Sequence, residues 1–266
     1  MKRVKWFVTV VAMGTLFFGC KAKEQTAEAP PPEQPKAEAT AAPKAEPPAA
    51  DAAQPEATAS APAPAPRSGY DRALLRAALL KDKAPDTFQV KFTTTRGDFV
   101  VTVHRAWAPI GADRFYNLVK HHFYDNASFF RVVPSFVVQF GISAYPPVAA
   151  AWEKANIQDE PVTQSNKRGY LTYAKTSLPN TRSTQIFINL SDNVGLDRQG
   201  FSPFGYVEAA GMKVVDMFYD QYGDGAGPDQ DQISKLGKPY LDKGWPKLDS
   251  IKTATLIGPA PAAAKP

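Results

Sequence analysis

Phe129-Phe130-Arg131-Val132-Val133-Pro134-Ser135-Phe136-Val137-Val138-Gln139 holds two short apolar runs separated by a proline-bearing turn. If the runs pair as a hairpin joined by Pro134 to Phe136, opposed positions sum to 270, which sets Arg131 against Gln139 and Val133 against Val137. One face then shows a guanidinium steadied by an amide among apolar groups. For an isolated strand, an arginine on a solvent-facing side would be the ordinary reading.

Outward from this hairpin the same grammar repeats. Phe88, Val90 and Phe92 alternate with polar residues, Arg96-Gly97 makes a turn, and Phe99, Val101 and Val103 alternate again, so a second hairpin is expected. Further short apolar runs occupy 170–174, 185–190 and 204–207, separated by Gly, Pro, Asn and Asp. Helical spacing is expected at 70–80, from Pro109 to about residue 120, and at 213–222. Trp245, Leu248, Ile251 and Leu256 suffice for a final strand, with a frayed tail at 259–266. Many short strands with two or three helices indicate a closed antiparallel barrel or sandwich.

The N-terminal quarter reads differently. Between Lys21 and Pro66, 17 Ala and 11 Pro make up 28 of 46 residues, and no large apolar residue occurs. Such a stretch cannot offset its ordering entropy, so 21–66 is expected to be a disordered, extended linker. Ahead of it, Met1 to Lys5 is cationic, Trp6 to Phe18 is apolar, and Gly19-Cys20 follows, the pattern of a secretory signal peptide too short to span a bilayer. Gly19-Cys20 resembles a bacterial lipoprotein signal, with Cys20 as the lipidated first mature residue. The expected domains are a signal peptide at 1–20, the linker at 21–66 and one globular domain at 67–258. Cys20 is the sole cysteine, so the fold cannot rest on an internal disulfide.

The net charge of +5 divides as +3 before residue 21, −3 in the linker and +5 over the last 200 residues. No Lys/Arg run lies beside interleaved aromatics, so nucleic-acid binding is not expected. His104, His121 and His122 keep no metal-ligand spacing, and no nucleophile elbow occurs. Gly223-Asp224-Gly225-Ala226-Gly227 has the look of a phosphate loop but lacks the strand-to-helix setting.

The central run, Phe130-Arg131 through Pro134, Phe136 and Gln139, resembles the central motif of the cyclophilins, the peptidyl-prolyl cis/trans isomerases. Arg96-Gly97-Asp98, Ala108-Pro109, Phe115-Tyr116-Asn117-Leu118-Val119, Phe123-Tyr124-Asp125, Gly169 to Ala174, Pro179-Asn180-Thr181, Thr184 to Ile188 and Leu196-Asp197 to Phe204-Gly205 resemble that family in family order, over about 87–222. The resemblance implies an eight-stranded antiparallel barrel capped by two helices, with a substrate groove outside it. By matching position it implies Arg131 as the catalytic arginine and Gln139 as its orienting neighbour. It further implies Phe136, Val137, Phe187 and Leu196 as walls of a proline pocket, with Ala174 and Phe201 along the groove. No cofactor and no metal are implied. The partners would be Pro-containing polypeptides, the membrane would be reached through the lipid anchor, and the protein would act as an exported monomer.

This sequence departs from the family at Val137, where Met is common, at Gly195, where Trp is common, and at Phe201, where His is common. A domain that holds Pro-containing segments without turnover is therefore the rival expectation. A small-molecule carrier barrel is a third, disfavoured by the Phe, Val and Ile content that would fill its interior.

Overall fold

The computed structural model describes residues 69–258, so the expectations for the signal peptide and Cys20, for the 21–66 linker and for the 259–266 tail lie outside the described residues. Within them, eight strands form one antiparallel sheet: β1 (Thr87–Thr94), β2 (Asp98–His104), β3 (Arg131–Val133), β4 (Val137–Phe140), β5 (Tyr170–Tyr173), β6 (Ile186–Asn189), β7 (Pro203–Val207) and β8 (Ile251–Leu256). Their order is β3-β4-β6-β5-β7-β2-β1-β8. Buried and half-buried residues alternate along β1, and its register with β2 sets Phe92 opposite Phe99 with rings stacked at 5.0 Å. The sheet curls until the segments leading into its two edge strands, β3 and β8, come together. Ser128 bridges Ser250, Phe129 N donates to Asp249 O at 2.9 Å and Ile251 N donates to Ala127 O at 2.8 Å, just outside the two edge ladders. The expected closed barrel is thus a curled half-barrel, its edges joined by an isolated bridge and not by a full eighth ladder.

The inner face carries the core, with Val132, Val138, Phe140, Leu171, Tyr173, Ile186 and Ile188 in one buried apolar cluster. Two helices pack against the strands of the sheet, one on β7 and β8 and one on β2. α1 (Pro109–Lys120) opens on a proline whose missing N–H costs nothing there, and it buries Ala112, Phe115, Leu118 and Val119. The next two amides, Ile110 N and Gly111 N, donate to the Glu160 carboxylate at 2.6 and 2.9 Å, and buried Arg182 Nη1 donates to the same group at 3.0 Å.

A short α2 (Pro146–Trp152) comes next in the chain, and α3 (Ala209–Val215) packs on β2 so closely that a Cβ at Gly211 would meet Phe99 Cβ at 3.0 Å. That helix, expected at 213–222, starts and ends earlier. Tyr219 N donates to Asp249 Oδ2 at 2.8 Å, which diverts its backbone from a helical ladder, while Phe218 still stacks on Phe129 at 4.0 Å.

The expected lead-in helix is two 3-10 turns, Arg72–Leu75 and Ala77–Leu79. Trp152 Nε1 donates to Leu74 O at 2.8 Å, taking the carbonyl that an α-helix would need. Two further helices, α4 (Gln230–Leu236) and α5 (Lys238–Gly244), stand where only a strand approach was expected. With Phe130, Ile142 and Ala149 they bury a second small cluster through Ile233 and Leu241. Seven-residue helices show too few turns for their periodicity to stand out in a sequence.

Candidate active site

Directly opposed residues in an antiparallel ladder share a face. The register sets Arg131 opposite Gln139, Gln139 opposite Phe187, and Phe187 opposite Thr172, so one transverse row crosses β3, β4, β6 and β5 on the outer face of the sheet. Val137 lies on the same face, opposite Val133 and Asn189. Val137 and Phe187 are only 2% and 5% exposed, yet neither belongs to either buried apolar cluster. Something outside the barrel covers them, which is what distinguishes a groove floor from an ordinary solvent face.

Arg131 is gripped on several sides. Its Nη1 donates to Gln139 Oε1 at 3.1 Å, and Gln139 Nε2 donates onward to Gln185 Oε1 at 2.8 Å. Its Cζ lies 5.6 Å from the Phe136 ring centroid, within cation–π range. On its other edge Nε and Nη2 donate to the two oxygens of Asp224. The guanidinium holds the Asp224 carboxyl below the usual carboxylate range through that hydrogen bond, and the Arg131 side chain remains 27% exposed.

Phe136 sits at the hairpin tip. Ser135 turns the chain at φ 59°, its carbonyl accepts from Ser191 Oγ at 2.6 Å, and Phe136 O accepts from Leu190 N at 2.8 Å and Asn193 Nδ2 at 2.9 Å. The opposite wall is a 3-10 segment, Val194–Gln199, that carries half-buried Leu196. Phe201 follows, its N donating to Leu196 O at 3.2 Å, its ring edge-on to Phe187 with centroids 5.8 Å apart and Lys175 Nζ over it at 5.7 Å.

This wall is pinned from beneath by Asn166, which is fully buried. Its Nδ2 donates to Asp197 Oδ1 at 2.7 Å and Phe201 O at 2.8 Å, while its Oδ1 accepts from Thr172 Oγ1 at 2.8 Å. Ser165 Oγ and Asn166 N also donate to the Asp197 carboxylate. Burial pushes that carboxyl up, but these hydrogen bonds outweigh it and hold the group below its ordinary range.

The structure thus brings Arg131, Gln139, Phe136, Val137, Phe187 and Phe201 to one face. Ala174 stands at the rim, where its N donates to Gln185 O at 2.9 Å. Leu196 stands on the wall segment. Three members escaped the sequence reading. Gln185 alternates with Phe187 and Asn189 on the groove side, a period-2 signal that could have found it. It also lines a cavity of about 450 Å³ with Ile142, Ser143, Ala149, Ser234 and Lys235. Asn166 and Asp224 come from loops, where no periodicity marks them.

The family model described as cyclophilin type peptidyl-prolyl cis-trans isomerase/CLD matches residues 89–238. The chain is 35% identical over 132 residues to a peptidyl-prolyl cis-trans isomerase of Acinetobacter baylyi, covering 48% of this chain and 69% of that protein. It is 30% identical over 156 residues to peptidyl-prolyl cis-trans isomerase A of Dickeya dadantii, covering 57% and 82%. A crystal structure of a Cryptosporidium parvum cyclophilin type peptidyl-prolyl cis-trans isomerase superposes with a TM-score of 0.48 at 20% identity, over 65% of this chain and 99% of the other.

Proposed function

We propose that Arg131 carries the reaction, on the premise that this chain belongs to the cyclophilin-type peptidyl-prolyl cis-trans isomerase family and is a peptidyl-prolyl cis-trans isomerase. Rotation about a peptide bond faces a barrier of about 18–20 kcal/mol because it breaks amide resonance, and no covalent step is required. In the twisted state the imide nitrogen regains its lone pair and becomes a better acceptor than in the planar ground state. A donor fixed there binds the transition state preferentially. Arg131, held by Gln139 on the groove face, is the donor suited to that place. A guanidinium keeps its charge across the physiological range, and its planar fork holds an aim that an ammonium would not.

One such bond is not the whole mechanism. Uncatalysed X-Pro exchange takes tens to hundreds of seconds, so a millisecond turnover needs roughly 5.5–7 kcal/mol. A charge-assisted hydrogen bond nets about 1.5–3 kcal/mol. The remainder comes from seating the proline ring against Phe136, Val137, Phe187 and Leu196 while the preceding carbonyl swings, and from displacing water that would favour the planar amide. Substrates are accordingly Pro-containing polypeptides, with their backbone along Ala174 and Phe201.

The observation that carries this reading is the outer-face row of Arg131, Gln139 and Phe187 beside apolar side chains buried outside the core. A chymotrypsin-coupled proline assay on the full chain tests it. Arg131→Ala should lower kcat/KM by roughly 10- to 150-fold, the equivalent of the lost bond. Turnover close to wild type would remove Arg131 from the mechanism.

The same reading extends to place. The cationic Met1 to Lys5, the apolar Trp6 to Phe18 and Gly19-Cys20 support export and lipidation at Cys20, with the 21–66 linker tethering the domain to a bacterial envelope membrane as a monomeric folding catalyst for exported proteins. Mass spectrometry of the mature N-terminus tests it. A diacylated or triacylated Cys20 is expected, and an unmodified N-terminus beyond residue 20 would rule the anchor out.

A further inference from the structure

The contact that the reaction scheme leaves unused is Asp224 on Arg131. The carboxylate lies on the 223–227 loop, 93 residues away in sequence, and takes the Nε and Nη2 edge of the guanidinium in a bidentate pair. Two opposite roles are open to such a carboxylate. It could compete with the substrate for the guanidinium, or it could brace the guanidinium from behind.

Donor arithmetic separates them. A guanidinium has five N–H groups in one plane. Asp224 takes two and Gln139 takes one, so two remain, one on each terminal nitrogen. The pair therefore leaves donors for an imide nitrogen and a carbonyl oxygen while fixing the plane in which they lie. Gln139 alone holds a single nitrogen, about which the fork can still pivot. With Asp224 on the opposite edge, and the Phe136 ring against the guanidinium, the pivot is closed.

The loop that presents Asp224 is itself built in. Gly223 N donates to Asp220 O at 3.0 Å, Ala226 N to Tyr222 O at 3.1 Å, and Trp245 Nε1 reaches Ala226 O at 2.7 Å. Gly227 passes over Phe130, where an added Cβ would lie 3.7 Å from Phe130 O. Trp245 packs on Tyr240 of α5 with ring centroids 5.0 Å apart, so the excursion through α4 and α5 supports the loop.

We propose that Asp224 is a positioning residue for the isomerisation, aiming Arg131 from the loop that the α4–α5 excursion supports; this rests on Arg131 being the catalytic group. Ion pairs this exposed contribute little to stability, so its effect belongs in turnover rather than in folding.

The test uses the full chain with Arg131→Ala as the reference for the catalytic reading. Asp224→Asn should lower kcat about three- to tenfold with KM within about twofold, because the aim of a transition-state donor is lost and ground-state binding is kept. Asp224→Glu, which keeps the carboxylate, should recover most of that loss. In the wild type the Arg131 Nε–H resonance should be protected from solvent exchange and in Asp224→Asn it should not, with an unchanged thermal midpoint. If Asp224→Asn folds poorly, the wild-type Nε–H resonance decides, since rapid exchange there overturns the brace. Turnover in Asp224→Asn equal to or above wild type, while Arg131→Ala is crippled, would also overturn the brace, the increase favouring a competitor. Full activity in Arg131→Ala would instead overturn the reading beneath it.

Discussion

The floor and the far wall of the groove are built by different physics. The floor (Arg131, Val137, Gln139 and Phe187) stands on adjacent strands, where backbone ladders set each residue's neighbour and the core below holds the strands in place. The wall (Leu196 on a short 3-10 segment and Phe201 just beyond it) has no strand partner and is held by Asn166 and Asp197 side chains instead. A ladder-built surface loses one contact when one side chain changes. A wall held by side-chain bonds can shift when the central one, Asn166, is lost.

The sharpest test of that contrast is Asn166→Ala. It strands Thr172 Oγ1 and Phe201 O without a buried partner, while the Asp197 carboxylate keeps its bonds from Ser165 Oγ and the backbone N of residue 166, and it should cost about 1–3 kcal/mol per orphaned group in urea unfolding. KM for a Pro-containing peptide should rise more than kcat falls, since a displaced wall loosens the grip on the ring without moving Arg131. An unchanged KM would mean that the wall holds without Asn166.

On the floor, Phe187→Ala should cost about 3 kcal/mol, the low end for a buried Phe, because its ring is buried against Phe201 outside the core clusters. Substrate affinity should fall with it, while the Arg131–Gln139 contact persists by NMR. Loss of that contact would show that the floor is not as independent as the ladders imply.

Gln139→Leu is smaller still. It removes a link between Arg131 and Gln185, and a loss of about 0.5–1.5 kcal/mol in kcat/KM is expected, roughly two- to thirteenfold. An effect as large as that of Arg131→Ala would make Gln139 far more than an orienting neighbour.

The smallest effect concerns acid. Because the folded Asp197 carboxyl is held below its ordinary range, it contributes stability that is present above the unfolded value of about 3.9 and is lost as pH falls through the lower folded value. The urea midpoint of the wild type should drop across that window, and Asp197→Asn should show a shallower drop. Equal slopes would remove Asp197 from the wall's acid response.

The same contrast explains what the sequence discloses. Arg131 opposite Gln139 follows from counting across a three-residue turn, and the structure has that register. The strand runs at 170–174, 185–190 and 204–207 locate β5, β6 and β7 to within a residue, because a short apolar run bounded by turn residues is a local signal. The lead-in helix and the position of α3 were misread, since Trp152 on Leu74 O and Asp249 on Tyr219 N are long-range hydrogen bonds that overrule local spacing. Asp224 was hidden for the same reason, in a glycine-rich loop whose meaning depends on a guanidinium 93 residues earlier. The roles proposed for Phe187 and Leu196 come from the family resemblance, since periodicity alone does not assign them.

In the proposed reaction a planar fork, and not merely a positive charge, is aimed at the imide nitrogen. Arg131→Lys keeps the charge and removes the fork, so cis/trans exchange in a Pro-containing peptide, followed by NMR line broadening on the full chain, tests it most directly. Exchange catalysed by Arg131→Lys should stay within about threefold of that by Arg131→Ala, with peptide affinity near wild type. Catalysis by Arg131→Lys at half the wild-type rate or more would contradict it.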